Sequence, residues 1–255
     1  MQLIDLQIGY GTKIIQSGLN AEASEGQFIC LLGTNGCGKS TLLRTLAGLQ
    51  PPLNGQVLIH RQNIHTLSQE QRARLLSVVL TDRIDIDKAT IHELVALGRF
   101  PYTNFMGALT DNDQHIVDSA IRQVLLKGRE NEMYSALSDG EKQRVVIAKA
   151  LAQATPIILL DEPTAHLDVP NRIKTMLLLQ QLAHQQRKTI ICSTHDLDIA
   201  VQTADTLWLM LTNQGGIIEG KPHDLLRQGK IQQVFADDAY TLIGLDSGIQ
   251  IKFSH

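Results

Sequence analysis

The stretch Gly33-Thr-Asn-Gly-Cys-Gly-Lys39-Ser40-Thr41 constrains this chain more than any other. An apolar run, Phe28-Ile-Cys-Leu-Leu32, leads into it, and Thr41-Leu-Leu-Arg-Thr-Leu-Ala47 follows with helical character. Strand, glycine-rich loop and helix form the context of a phosphate-binding loop. Its glycines let backbone N–H groups converge on phosphate oxygens without a Cβ in the way. The helix start adds its partial positive charge. Lys39 can then reach the terminal phosphates, and the Ser40 hydroxyl can ligate Mg²⁺.

The rest of the chain has room for a domain around that loop. At 255 residues, 43% apolar and 19% charged, the expectation is a folded protein of one domain or two closely joined subdomains. A net charge of −3 supplies no global basic field, so nucleic acid is not the expected partner. No apolar run approaches the roughly 20 residues of a membrane-spanning helix. Met1-Gln-Leu-Ile-Asp5 lacks the basic start and apolar core of a signal peptide. The expected location is therefore cytosolic, with room to sit on a membrane protein. Cys30, Cys37 and Cys192 lack metal-site spacing. Cys30 and Cys192 fall in apolar runs and read as core residues, whereas Cys37 is a loop thiol beside the phosphate site.

In chain order, Leu3 to Ile8 reads as a strand, turned by Gly9-Tyr10-Gly11. Tyr10 offers a flat face on which an adenine ring can stack. Pro51-Pro-Leu-Asn-Gly55 ends the helix after the loop. Val57 to Ile59 is a further strand, Ser68 to Gln71 a capping box, and Leu75 to Leu80 a buried strand. From about Arg83 to Ala152 the pattern turns helical. Ile91 to Leu97 reads as a helix ending at Gly98, and 100–106 as a loop carrying three aromatics. A second helix shows a stripe of Ile116, Val117, Ala120, Ile121, Val124 and Leu125, and a third starts near Ser138. The apolar strand Ile157 to Leu160 follows, ending in Asp161-Glu162. A long helix then runs from Pro170 to about His184, and a strand from Thr189 to Thr194 ends at His195. A closing hairpin spans 206–219 and a helix 221–234, while the last twenty residues carry no readable signal. Short buried strands alternating with helices imply an α/β fold around a largely parallel sheet.

Phosphoryl transfer needs charge neutralisation, positioning and an activated water. Asp161, at a strand end, can hold Mg²⁺ beside Ser40. Glu162 follows, facing the other way on an extended strand, and can orient the attacking water or take its proton. His195, also at a strand end, can hydrogen-bond a γ-phosphate. Leu137-Ser138-Asp139-Gly140-Glu141-Lys-Gln143 is a capping box, and its helix start with a free serine hydroxyl is also an anion site. It lies in the helical block, where it suits the nucleotide of a second subunit.

These motifs, in this order, closely resemble the ATP-binding-cassette (ABC) ATPases: the phosphate loop, Leu-Ser-Asp-Gly-Glu, Leu-Leu-Asp-Glu-Pro-Thr, Ala-His-Leu-Asp168 and Ser-Thr-His195. The resemblance implies a phosphate-loop NTPase core, comprising 1–82 and 153–255, with an antiparallel β subdomain and a helical signature subdomain inserted at 83–152. It implies ATP and Mg²⁺ as ligands, and a homodimer that closes head to tail when ATP binds. Gly33, Asn35, Gly36, Cys37, Gly38, Lys39, Ser40 and Thr41 of one copy would hold the phosphates, with Tyr10 on the adenine and Asp161 joining Ser40 at the metal. Ser138 and Gly140 of the other copy would close on the γ-phosphate, with Asp168 at the seam. Glu162 would be the catalytic carboxylate, His195 the switch, and Lys39 the charge on the transferring group.

Val95-Ala-Leu-Gly-Arg99-Phe-Pro101, with the single-cassette length, looks more narrowly like the iron-chelate (siderophore or haem) and cobalamin importer ATPases. That resemblance would place the chain at the cytoplasmic face of the cell membrane, under a permease dimer fed by a periplasmic or lipid-anchored binding protein. Two departures stand out. Thr81, followed by Asp82, occupies the place of the family's glutamine before the helical insertion, and the signature reads Ser-Asp-Gly-Glu rather than Ser-Gly-Gly-Gln. The competing readings are a soluble cassette ATPase acting on ribosomes or DNA, a non-catalytic partner cassette, and a small-molecule kinase. The first usually carries paired cassettes or basic arms, the second lacks reason for both Glu162 and His195, and the third has no use for Ser138 to Glu141.

Overall fold

A computed structural model describes residues 1–80, 88–103, 107–212, 215–235, 240–245 and 248–253. Strands β1 (Gln2–Tyr10) and β2 (Lys13–Glu22) form a hairpin, and β3 (Phe28–Leu32) leads through the glycine loop into α1 (Lys39–Leu46). Then come β4 (Asn54–Ile59), β5 (Gln62–Asn63), α2 (Gln69–Leu75) and β6 (Leu76–Val79). The helical block holds α3 (Ile91–Ala96), α4 (Asp111–Gln123) and α5 (Asp139–Ala152). The chain continues with β7 (Ile157–Asp161), α6 (Val169–Gln186), β8 (Thr189–Ser193), α7 (Leu197–Thr203), β9 (Thr206–Met210) and β10 (Ile217–Gly220). It closes with α8 (Pro222–Arg227), α9 (Lys230–Phe235) and a hairpin of β11 (Tyr240–Leu245) and β12 (Gly248–Phe253).

The central sheet runs β10-β9-β3-β8-β7-β6. All neighbours are parallel except β10, which returns antiparallel to β9. Every residue of β3, β7, β8 and β9 is buried, as parallel strands covered on both faces require. The pleat of β3 sorts its residues into two cores. Ile29 and Leu31 join Leu42, Leu43 and Leu46 of α1 and the antiparallel layer β2-β1-β4-β5. Phe28, Cys30 and Leu32 join Met176 and Leu179 of α6 and, in the same cluster, Val95, Val117, Ile121 and Val145 of the helical block. The fold class is thus the expected one: a mostly parallel core sheet, an antiparallel β layer and inserted helices.

Several elements differ from their sequence expectation. α3 stops at Ala96, and a tight 3-10 turn runs on through Tyr102 where an irregular aromatic loop was expected. Gly98 sits inside that turn because a Cβ there would lie 2.3 Å from the Lys149 carbonyl oxygen. The expected single helix over 221–234 is two short ones, parted at Gly229, whose φ of +67° ends α8. The hairpin β11–β12 occupies the uninterpreted C-terminal region. Thr81, Asp82 and Asn104 to Met106 lie outside the described residues.

Candidate functional site

The phosphate loop leaves the carboxyl end of β3, and β7 and β8 lie on one side of that strand in the same sheet. Ligands of open α/β sheets bind beyond the carboxyl ends of their strands. Gly36 and Gly38 take φ of +78° and +105°, left-handed values that turn the loop back toward α1. Lys39, the first residue of α1, is buried at 6% exposure. Its Nζ donates to the carbonyl oxygens of Gly33 at 2.9 Å and Thr34 at 3.2 Å. The loop's one ammonium is therefore folded across the cradle, where an anion can attract it outward.

Cys37 is buried, and burial pushes its thiol up against the opposing pull of Lys39. It fills the space beside Gly33, where a Cβ would lie 2.7 Å from Cys37 Sγ. This is packing rather than an exposed reactive thiol. Beneath the loop, the buried Gln16 donates through Nε2 to the Cys37 carbonyl at 3.0 Å and the Leu211 carbonyl at 2.7 Å. Asn35, Gly36 and Ser40 are exposed, whereas Thr41 is buried under the loop. Tyr10, at the end of β1, is half exposed, and its hydroxyl lies 3.3 Å from Thr41 Oγ1. Its ring thus stands beside the start of α1, where an adenine platform is expected.

At the ends of β7 and β8 the acidic residues meet the loop. Ser40 Oγ donates to Asp161 Oδ1 at 3.2 Å. The Ser193 hydroxyl donates to the same oxygen at 2.7 Å. His195 Nε2 lies 2.5 Å from Glu162 Oε1. Glu162 is not on an extended strand, as its position suggested: its φ is +51°, just past the end of β7. Its backbone N–H donates to Ser193 Oγ at 2.9 Å. A second network holds the segments that follow. Asp196 accepts from Thr164 Oγ1 at 2.9 Å and from Arg172 at 2.8 Å, and Arg172 also donates to the Leu167 carbonyl.

Ser138, Gly140 and Asp168 belong to the starts of α5 and α6. The Ser138 hydroxyl is not free: it donates to Glu141 Oε2 at 2.8 Å, beside the Ser138 N–H at 2.9 Å. Arg129 pairs with the other Glu141 oxygen. Its guanidinium, with the two Ser138 bonds, holds the carboxyl down to about 2. Gly140 packs on Asn171, where a Cβ would sit 2.9 Å from Cγ. Asp168 caps α6 by accepting from Asn171 N–H at 3.0 Å.

The structure brings together Lys39, Ser40, Asp161, Glu162 and His195, with Tyr10 at the edge. Ser193, within Ser-Thr-His195, has no role of its own legible in the sequence, and neither do Gln16, Arg172 and Asp196. Ser193 left a trace, a polar residue closing an apolar strand two places before His195. Gln16 left none, because one polar residue in a β-hairpin is ordinary. Chemically, Ser40 and Asp161 present a hydroxyl and a carboxylate oxygen, the hard donors that Mg²⁺ takes. No group of three His, Cys, Asp or Glu side chains suited to a metal occurs among the described residues. The pair therefore fits a cation that keeps waters and shares phosphate oxygens.

Comparisons with known proteins give the family. A family model described as ABC transporter matches residues 17–165. The achromobactin transport ATP-binding protein of Dickeya dadantii is 37% identical over 231 residues, 91% of this chain and 86% of that protein. The iron(3+)-hydroxamate import ATP-binding protein of Bacillus subtilis is 35% identical over 235 residues, 92% of this chain and 87% of that one. Among solved structures, a dimeric bacterial ABC transporter cassette superposes with a TM-score of 0.73 at 29% identity, covering 87% of this chain and 98% of that one.

Proposed function

This chain belongs to the ABC transporter family, as an ATP-binding cassette, and from that premise we propose that it is the ATP-hydrolysing subunit of an importer for a ferric chelate. One observation carries the catalytic part. Beyond the carboxyl ends of three adjacent parallel strands, β3, β8 and β7, lie Lys39 and Ser40 at the start of α1, His195, and Asp161 with Glu162, joined by the Ser40–Asp161 and His195–Glu162 contacts. The cargo class is supported by relatives named for achromobactin and iron(3+)-hydroxamate transport.

In this reading the loop amides of 36–41 and Lys39 take the β- and γ-phosphates, and Lys39 exchanges its two carbonyl partners for phosphate oxygens. Ser40 and Asp161 hold Mg²⁺, which supplies charge neutralisation on the phosphates when bound. Glu162 orients the attacking water and accepts its proton. His195 holds the Glu162 carboxylate and contacts the γ-phosphate side. Tyr10 carries the adenine. Two copies close around two nucleotides, so that Ser138 and Gly140 of each meet the phosphates held by the other. Ser138 then redirects its hydroxyl from Glu141 to the γ-phosphate. The helical block 83–152 is the signature subdomain. No described helix is long and apolar enough to cross a membrane. In this reading the cassette works at the cytoplasmic face of the membrane, under a separate permease dimer served by a binding protein.

Purification of the tagged chain from membranes of its own cells, in mild detergent, tests the transporter assignment. A polytopic permease should co-purify. ATP turnover by that complex should rise when its binding protein is loaded with a ferric hydroxamate or carboxylate chelate. Stimulation by cobalamin instead would replace the cargo, and recovery without any membrane partner would remove the importer reading.

A further inference from the structure

Ser193 is the last residue of β8 and has no exposed surface. Its register partner across the parallel pair is Asp161, the last residue of β7. A hydroxyl has one proton to give and two lone pairs to accept with, and here both directions are used. The proton goes to Asp161 Oδ1 at 2.7 Å, and a lone pair receives the Glu162 N–H at 2.9 Å. The carboxylate oxygen it touches is the one that also accepts from Ser40 Oγ. The amide it touches belongs to a residue at φ +51°, a conformation that disfavours any side chain with a Cβ and persists only when held. Two places further on, the same strand end sends His195 to the Glu162 carboxylate. The end of β8 and the residues just past it therefore grip Glu162 twice, by backbone through Ser193 and by side chain through His195.

We propose that Ser193 is a positioning residue of the hydrolytic site, fixing in one hydroxyl both the orientation of Asp161 toward the metal corner and the backbone turn that aims Glu162. The inference rests on the ATPase reading above. It assigns Ser193 no contact with nucleotide. Removing the hydroxyl takes away the nearer of the two donors on Asp161 Oδ1, leaving Ser40, and takes the Ser193 acceptor from the Glu162 amide.

The test compares S193A, S193V and S193T, the last two having nearly the same shape and differing in the hydroxyl. Three quantities are read: ATP turnover, nucleotide affinity in EDTA, and Mn²⁺ affinity of the nucleotide-loaded protein by EPR. Outer partners of a metal ligand typically change affinity or activity by about 10–100-fold. S193A and S193V should lose turnover by about that factor and bind Mn²⁺ about tenfold more weakly. Their nucleotide affinity without metal should stay within about twofold of wild type, because the phosphate loop is untouched. S193T should recover both turnover and Mn²⁺ binding. S193V matching S193T in both readouts would overturn the proposal. If neither β-branched side chain is accepted by the fold, S193A decides, and wild-type Mn²⁺ binding in S193A overturns it. A wild-type chain without ATP turnover would instead remove the ATPase reading, and this inference with it.

Discussion

His195 Nε2 sits 2.5 Å from Glu162 Oε1. The contact joins the ends of two neighbouring parallel strands, and it engages the carboxylate assigned to the attacking water. Glu162 is partly buried and His195 about half exposed, so the imidazole forms the solvent side of the pair. The backbone of Glu162 is tied to Ser193 at the end of β8, and its side chain to His195 two residues beyond.

Lys39→Ala should weaken nucleotide binding by about 10–100-fold, as expected when a charge-assisted contact of about 1.5–3 kcal/mol is lost. The ammonium now bonds the Gly33 and Thr34 carbonyls, so its removal also loosens the loop. Equilibrium binding of a fluorescent ATP analogue measures the effect. Unchanged affinity would contradict the role given to the loop.

Arg99→Ala should destabilise the fold without touching the nucleotide site. Arg99 is buried and pairs with the equally buried Asp113 at 2.8 Å, donates to the Ala152 carbonyl at 2.8 Å, and lies 4.1 Å from the centre of the Tyr102 ring. Removing the guanidinium takes one partner from Asp113, which keeps its bonds from the Thr110 N–H and hydroxyl, and costs about 1.5–3 kcal/mol, the range of a hydrogen bond to a charged group. Urea unfolding of the variant reads this as a lower midpoint. A loss below about 1 kcal/mol would mean that the pair behaves as a surface one.

The pH behaviour of the signature helix follows from Glu141. Hydrogen bonds from Arg129, then from the Ser138 N–H and hydroxyl, hold its carboxyl at about 2 against an ordinary 4.5. A carboxyl lowered on folding contributes stability that is fully present above 4.5 and is lost as pH falls through about 2. The start of α5 should therefore stay intact at pH 4. Arg129→Ala should move the Glu141 carboxyl up toward 4.5, read by carbon NMR titration of labelled glutamate with Glu141→Gln for assignment. No upward movement would place the cause in the Ser138 bonds alone.

Much of this molecule is legible along the sequence, for physical reasons that differ by element. β3, β7 and β8 announce themselves because strands buried on both faces read as apolar runs, closed by polar Asp161 in β7 and bounded by Thr189 and Ser193 in β8. The loop between Leu32 and Lys39 is legible because its geometry demands glycine at 36 and 38, where φ is positive. The capping box at Ser68 forms as read, a local hydrogen-bond pattern complete within four residues. The left-handed turn at Glu162 is not legible, because a hydroxyl from another strand holds it. Nor is the bond of Ser138 to Glu141, which the sequence shows as a cap while leaving the hydroxyl's direction open. The break at Gly229 and the hairpin after residue 239 escaped for a simpler reason: short elements carry little periodicity.

We assign Glu162 as the carboxylate of ATP hydrolysis, in a site built by Lys39, Ser40 and Asp161. The most direct measurement sets wild type beside Glu162→Gln, reading ATP turnover and ATP retention on the same preparations. The substitution keeps the shape and the Ser193 bond to the backbone but removes the proton acceptor. Turnover should fall by about 10²–10⁴-fold, while ATP stays bound and stabilises a dimer. Turnover within a few-fold of wild type, or loss of ATP binding together with turnover, would contradict the account.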